Sequence, residues 1–168
     1  MKVIEQGFAP ILDAGPQVLI LGTMPSVASL QAQQYYGHPR NAFWWIMAEL
    51  FGFDPAIPYA QRVEQLKRER VAVWDVIAAC HRPGSLDSRI DAATVQPNDL
   101  PGLFREQPGL KLLAFNGQAA AKLFKRFIGF QHWPGEHIVL PSTSPAHAAL
   151  KREQKLEQWR QIKTYLSP

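Results

Sequence analysis

A chain of 168 residues, 46% hydrophobic and 19% charged, is sized for one globular domain spanning residues 1–168, and its composition excludes a disordered chain. The formal net charge of +4 and the pI near 9.4 suit a polyanionic partner such as nucleic acid, although a solvated basic surface gives the same numbers. No apolar run approaches the ~20 residues of a membrane span. The segment Met1 to Pro10 lacks the apolar stretch of a signal peptide, so a cytoplasmic location is expected. The lone cysteine, Cys80, excludes an internal disulfide and is expected to be a small buried thiol.

Four short apolar runs predict strands: Val18 to Leu21, Val71 to Val76, Leu110 to Phe115 and Ile138 to Leu140. Helical spacing of apolar residues predicts helices over Asn41 to Phe51, Gln118 to Phe127 and Arg152 to Leu166, and Tyr59 to Glu69 is a polar, amphipathic helix candidate. The stretch Ala78 to Leu103 is a long connection of loops or a short helix. Strands alternating with helices predict an α/β fold with a mostly parallel sheet covered on both sides. In such sheets, ligand sites lie beyond the carboxyl ends of the strands. The candidate segments are therefore Gly22 to Ser26, the residues after Trp74, Asn116-Gly117, and Pro141 to His147.

Gly22-Thr23-Met24-Pro25-Ser26 ends a strand in a glycine and a proline turn, where a ligand can approach the backbone; an ordinary strand-ending turn has the same composition. It is neither a Walker loop nor a dinucleotide fingerprint. The block Tyr35 to Trp45 crowds aromatics with His38 and Asn41, and Asn41 is a plausible N-cap for the helix that follows. Phe43 and Trp44 in its first turn suit a helix core as well as a site. Leu140 to Ala148 is a rigid, hydroxyl-rich loop whose serines, threonine and backbone N–H groups can hold phosphates, with Lys151 and Arg152 close behind; a helix-capping loop with a solvent-facing His147 is the alternative. The five histidines have no metal-ligand spacing, so no metal site and no cofactor are expected.

Together, these segments resemble the uracil-DNA glycosylase superfamily, above all its mismatch-specific and hypoxanthine branches. The resemblance rests on Gly22 to Ser26, on Tyr36-Gly37-His38-Pro39-Arg40-Asn41-Ala42-Phe43-Trp44, on Phe115-Asn116-Gly117 and on Leu140 to Ala146, in matching order over roughly residues 16 to 165. It implies a three-layer αβα sandwich around a short, mostly parallel, four-stranded sheet. It implies that Gly22, Thr23 and Met24 line a base pocket with Phe43, that Tyr36 stacks on an extruded base, and that Asn116 hydrogen-bonds its edge. Ser142, Thr143, Ser144 and His147 would grip the DNA backbone. Many relatives place a water-activating Asp or Asn where this chain has Met24, which can neither polarise water nor accept a proton. The hypoxanthine branch also lacks that residue and relies on the asparagine matched by Asn41.

The expected function is thus a monofunctional glycosylase that flips a deaminated base, foremost hypoxanthine, out of DNA and hydrolyses its glycosidic bond, with Asn41 positioning the water. The alternatives are a mismatch-specific uracil or thymine glycosylase, a damage-binding DNA module without catalysis, and a hydrolase of free nucleosides. A monomer is the simplest assembly. Asp75, Arg82, Asp87 and Arg89 either form a structural ion-pair network or line the site, the structural role being the first choice.

Overall fold

A computed structural model describes residues 2–167. In chain order the elements are β1 (Glu5–Gln6), β2 (Val18–Gly22), α1 (Val27–Ala32), α2 (Phe43–Phe51), α3 (Tyr59–Arg68), β3 (Val71–Asp75), β4 (Ile77–Cys80), β5 (Gln96–Pro97), α4 (Leu100–Glu106), β6 (Leu112–Asn116), α5 (Gln118–Phe127), β7 (Glu136–Leu140) and α6 (Arg152–Trp159). A 3-10 segment, Arg160–Tyr165, continues α6, so the final predicted helix divides into an α-helical and a tighter half.

The central sheet has the order β3-β2-β6-β7 and is parallel throughout. β2, β3 and β6 are near-continuous apolar runs because both of their faces are covered. Alternate residues feed two cores. Val18, Ile20, Val73 and Ala114 pack against α2, α3 and α6 through Phe43, Met47, Leu66, Leu156 and Trp159. Leu19, Leu21, Leu113 and Phe115 pack against α4 and α5 through Leu100, Leu103, Ala120 and Phe124. These are the three layers of the expected sandwich.

The long connection holds more order than its sequence shows. β4 lies antiparallel between β1 and β5 in a small second sheet. Cys80 on β4 is buried beside Met24 and Ile77, as expected for a small thiol. No described helix is long and apolar enough to cross a membrane.

The backbone is strained at one informative place. Tyr36 has φ +53°, in the left-handed region that non-glycine residues rarely enter. Such strain costs on the order of 1–3 kcal/mol and persists only where the surroundings impose it. Here the Tyr35 N–H donates to Tyr59 Oη at 3.0 Å, the Tyr35 hydroxyl donates to the Ala9 carbonyl at 2.8 Å, and Trp44 Nε1 donates to the Tyr35 carbonyl at 2.8 Å. The Gly37 N–H donates to Ser29 Oγ at 2.8 Å on the other side. The chain is pinned before and after Tyr36, and its ring is aimed accordingly.

Candidate functional site

The carboxyl ends of β2, β3 and β6 and the loop after β7 enclose a narrow cavity of about 100 Å³. Gly22, Thr23, Met24, Tyr36, Asn41, Asn116, Ser142, Thr143 and Ser144 all line it, together with Asp75. It adjoins a wider cleft of about 530 Å³ lined by Gly117 and Gln118 at the start of α5, by Ser142 and Ser144, and by His147. Ser85, Asp87, Asn116, Ser142 and Ser144 border both spaces.

Each wall has a local cause. Gly22 ends β2, and a Cβ there would stand 2.6 Å from Asp75 Oδ1 and 2.9 Å from Tyr36 Oη, so only glycine leaves that space open. The turn that follows is clamped by the buried Arg82, whose Nη2 donates to the Pro25 carbonyl at 2.6 Å and whose Nε donates to the Gly84 carbonyl at 2.8 Å. Thr23 Oγ1 donates to Asp87 Oδ1 at 2.7 Å. The backbone N–H groups of Thr23 and Met24 donate to no acceptor among the described residues. The Met24 side chain itself packs with Ile77 and Cys80.

The Tyr36 ring rests on Phe43, with ring centroids 4.1 Å apart and planes 22° from parallel. Phe43 is fully buried and does not line the cavity, which corrects its expected place in the pocket: it backs the aromatic wall rather than forming it. Asn41 precedes the N-cap, which is Ala42, yet Asn41 Oδ1 accepts the Phe43 N–H at 2.9 Å. That bond fixes the carboxamide while leaving Nδ2 and one lone pair of Oδ1 for another partner. The Ala42 N–H donates to the Thr143 carbonyl at 3.0 Å and ties this loop to the loop after β7.

Thr143 is buried, and it grips Asn116 at both ends: Asn116 Nδ2 donates to Thr143 Oγ1 at 3.0 Å, and the Thr143 N–H donates to Asn116 Oδ1 at 2.9 Å. Thr143, expected to touch DNA, thus braces Asn116 from the cavity wall, and its hydroxyl keeps its own O–H to donate. The clamp prevents the Asn116 amide from flipping and leaves one N–H and one lone pair for a ligand. Replacing Thr143 with valine strands Asn116 Nδ2. We expect a loss of about 1–3 kcal/mol, readable as a lower midpoint in thermal denaturation.

Gly117 has φ +95°, and a Cβ on it would lie 3.1 Å from Ser142 Cβ, so glycine brings the end of β6 against the serine loop. That loop is held by Lys155, a buried lysine whose Nζ donates to the His147 carbonyl at 2.9 Å. The His147 side chain is exposed. Arg152 lies over the Trp45 ring, 4.2 Å from its centroid.

The family model for the uracil DNA glycosylase superfamily matches residues 9–165. The chain belongs to that superfamily. It is 36% identical over 156 residues to a protein of Methanosarcina acetivorans named hypoxanthine DNA glycosylase, covering 92% of this chain and 96% of that one. It is 35% identical over 150 residues to a Methanosarcina barkeri protein of the same name, covering 88% and 91%. A solution NMR structure of a Methanosarcina acetivorans protein, provisionally described as a uracil DNA glycosylase, superposes with a TM-score of 0.79 at 34% identity, covering 96% of this chain and 99% of that one.

Of the two roles open to Asp75, Arg82, Asp87 and Arg89, the structure disfavours the ion-pair network: among the described residues none of the four forms a salt bridge, and Asp75 and Asp87 line the cavity. Arg82 spends its guanidinium on carbonyls, and Asp75 is only 4% exposed with no hydrogen bond to its carboxyl. Burial, reinforced by the Asp87 charge and opposed by Arg82, pushes the Asp75 carboxyl up to about 7. Burial likewise raises the Tyr36 hydroxyl far above the usual phenol range, with the Asp75 charge adding to the rise. The only sequence signal for Asp75 was its place at the end of a predicted strand.

The linkage has a definite sign. Asp75 binds its proton more tightly folded than unfolded, so its presence costs nothing extra below about pH 4 and destabilises increasingly until about pH 7. We expect Asp75→Asn to gain stability relative to the natural protein as pH rises through that window, by a few kcal/mol at pH 8. Chemical denaturation at several pH values measures the difference; a difference independent of pH contradicts it.

Proposed function

We propose that the chain is a monofunctional DNA glycosylase of base excision repair that hydrolyses the N-glycosidic bond of a flipped deaminated base, with hypoxanthine as its principal substrate. The observation that carries this reading is convergence: Thr23, Tyr36, Asn41, Asn116 and Ser142, from four separated segments, line one narrow cavity opening into a wider cleft. The names of the Methanosarcina relatives support the choice of base.

The chemistry follows from the residues. Extrusion of a base costs a few kcal/mol, less for a poorly paired one, and stacking on Tyr36 returns about 1–3 kcal/mol. The clamped Asn116 amide offers an acceptor to a ring N–H and a donor to the adjacent carbonyl, which suits the edge of hypoxanthine and opposes that of adenine. Cleavage builds negative charge on the departing base and positive charge on the sugar. The unpartnered N–H groups of Thr23 and Met24 suit the first, and the DNA phosphates suit the second. Asn41 holds the attacking water; an amide is too weak a base to take its proton, so its part is positioning. Ser142, Ser144 and His147 border the cleft where the flanking backbone lies, beside the amino end of α5.

The test is a panel of oligonucleotides, each carrying one hypoxanthine, uracil, xanthine or mismatched thymine, incubated with the protein and then treated with alkali. The reading expects alkali-labile breaks at hypoxanthine first. Faster cleavage at uracil selects the mismatch reading, and binding without any break selects a damage-recognition module.

A further inference from the structure

The mechanism above leaves one cavity group unused. Asp75 ends β3 at the floor of the narrow cavity, and its backbone carbonyl is occupied by Asn98 Nδ2 at 2.8 Å, but its carboxyl has no hydrogen-bond partner among the described residues. Tyr36 Oη, which makes no well-aligned hydrogen bond although the Asn116 side chain lies near it, is close by: Oη and Asp75 Oδ1 both fall within 3 Å of the point that a Cβ on Gly22 would occupy. Carboxyls buried for structural reasons are paired or hydrogen-bonded, because an unsatisfied one is costly. Two adjacent unsatisfied groups on a cavity wall are matched to something that enters the cavity.

We propose that Asp75 is a catalytic acid that hydrogen-bonds the extruded purine and gives its proton to N7 as the glycosidic bond breaks. This inference rests on the glycosylase reading and deepens its leaving-group chemistry: the charge that builds on the base, which the Thr23 and Met24 N–H groups suit, is neutralised by a proton as the bond breaks. The proton moves from the carboxyl to N7. The C1′–N9 electron pair flows into the imidazole ring, and hypoxanthine departs neutral rather than as an anion. Water held at Asn41 adds its oxygen to C1′, and its released proton returns to the Asp75 carboxylate, so no further reagent is consumed. Burial keeps the acid form populated near neutrality. The charged and titratable groups that act on it are Asp87 and Arg82, from the segment after β4, and the hydroxyls of Tyr35 and Tyr36. Tyr36 stays a neutral phenol throughout the working range, so its hydroxyl does not compete with Asp75 for the proton.

The experiment measures single-turnover release of hypoxanthine from a deoxyinosine duplex between pH 5.5 and 9, for the natural protein and for Asp75→Asn. The natural protein should lose rate above about pH 7, approaching tenfold per pH unit. Asp75→Asn should be slower by about 10²–10⁴-fold at pH 6.5 and lose that alkaline decline, while binding a 2′-fluoroarabino-inosine duplex within threefold of the natural protein. A variant with the natural rate and pH profile overturns the proposal, as does a natural profile that stays flat across this range. Should the variant not fold, a duplex carrying 7-deaza-2′-deoxyinosine decides instead: the natural protein must bind it but cleave it slowly and without the alkaline decline, and ordinary cleavage overturns the proposal. If the natural protein releases no hypoxanthine at any pH, the reading of hypoxanthine as substrate itself fails and this inference falls with it.

Discussion

Asn41→Ala should lower hypoxanthine release by at least about 10²-fold while leaving affinity for the damaged duplex nearly unchanged. The basis is positional. Asn41 Oδ1 is fixed by the Phe43 N–H, the loop is tied by Ala42 to the Thr143 carbonyl, and the amide lines the cavity. Misplacing a reacting water by about 1 Å already costs on the order of 10²-fold, and alanine removes the group that holds it. Alanine also removes a cap-like bond at the start of α2, worth about 0.5–2 kcal/mol. That loss lowers the melting temperature but does not unfold the protein at 25 °C, so denaturation and activity separate the two effects. Full activity in this variant refutes the assignment of Asn41.

Gly22→Ala should disable the pocket from the opposite wall. The added methyl meets Asp75 Oδ1 at 2.6 Å and Tyr36 Oη at 2.9 Å, closer than real Cβ contacts allow. Neither neighbour moves freely: Tyr36 is pinned through Tyr35 and Gly37 and backed by Phe43, and Asp75 is buried at the end of β3 in register with Gly22 itself. Overpacking of this kind costs about 1–3 kcal/mol. The displacement it forces should cut the rate by roughly 10²-fold. Measured kcat/KM within a factor of two of the natural protein contradicts this account of the floor.

The central sheet was legible because parallel strands covered on both faces are written as unbroken apolar runs, and β2, β3, β6 and β7 lie within a few residues of the runs that predicted them. α2, α3 and α5 were legible from apolar spacing. The small sheet of β1, β4 and β5 was not, since strands of two to four residues, one ending in Pro97, carry no periodicity and are set by tertiary contact. α4 escaped because Pro101 and Gly102 stand in its first turn, where Asp99 accepts the Gly102 N–H. At the site, the segments that line the cavity were legible, but three side-chain roles were not. Phe43 and Thr143 turn inward to support Tyr36 and Asn116, a matter of which way a side chain faces. Asp75 lies among alternating charges that look paired in sequence, and only the commitment of Arg82 to the Pro25 and Gly84 carbonyls leaves it alone.

The strand order has a consequence for how the protein breathes. β2 and β6, which end in Gly22 and Asn116, are the two interior strands, each laddered on both sides, whereas the rim residues Ser142 to His147 belong to an irregular loop. Amide hydrogens of interior strands exchange only through near-global opening, and those of loops through local fluctuations. In deuterium exchange the floor beneath the extruded nucleotide should therefore be among the last regions to label and the rim among the first, so that DNA protects the rim and leaves the floor unchanged.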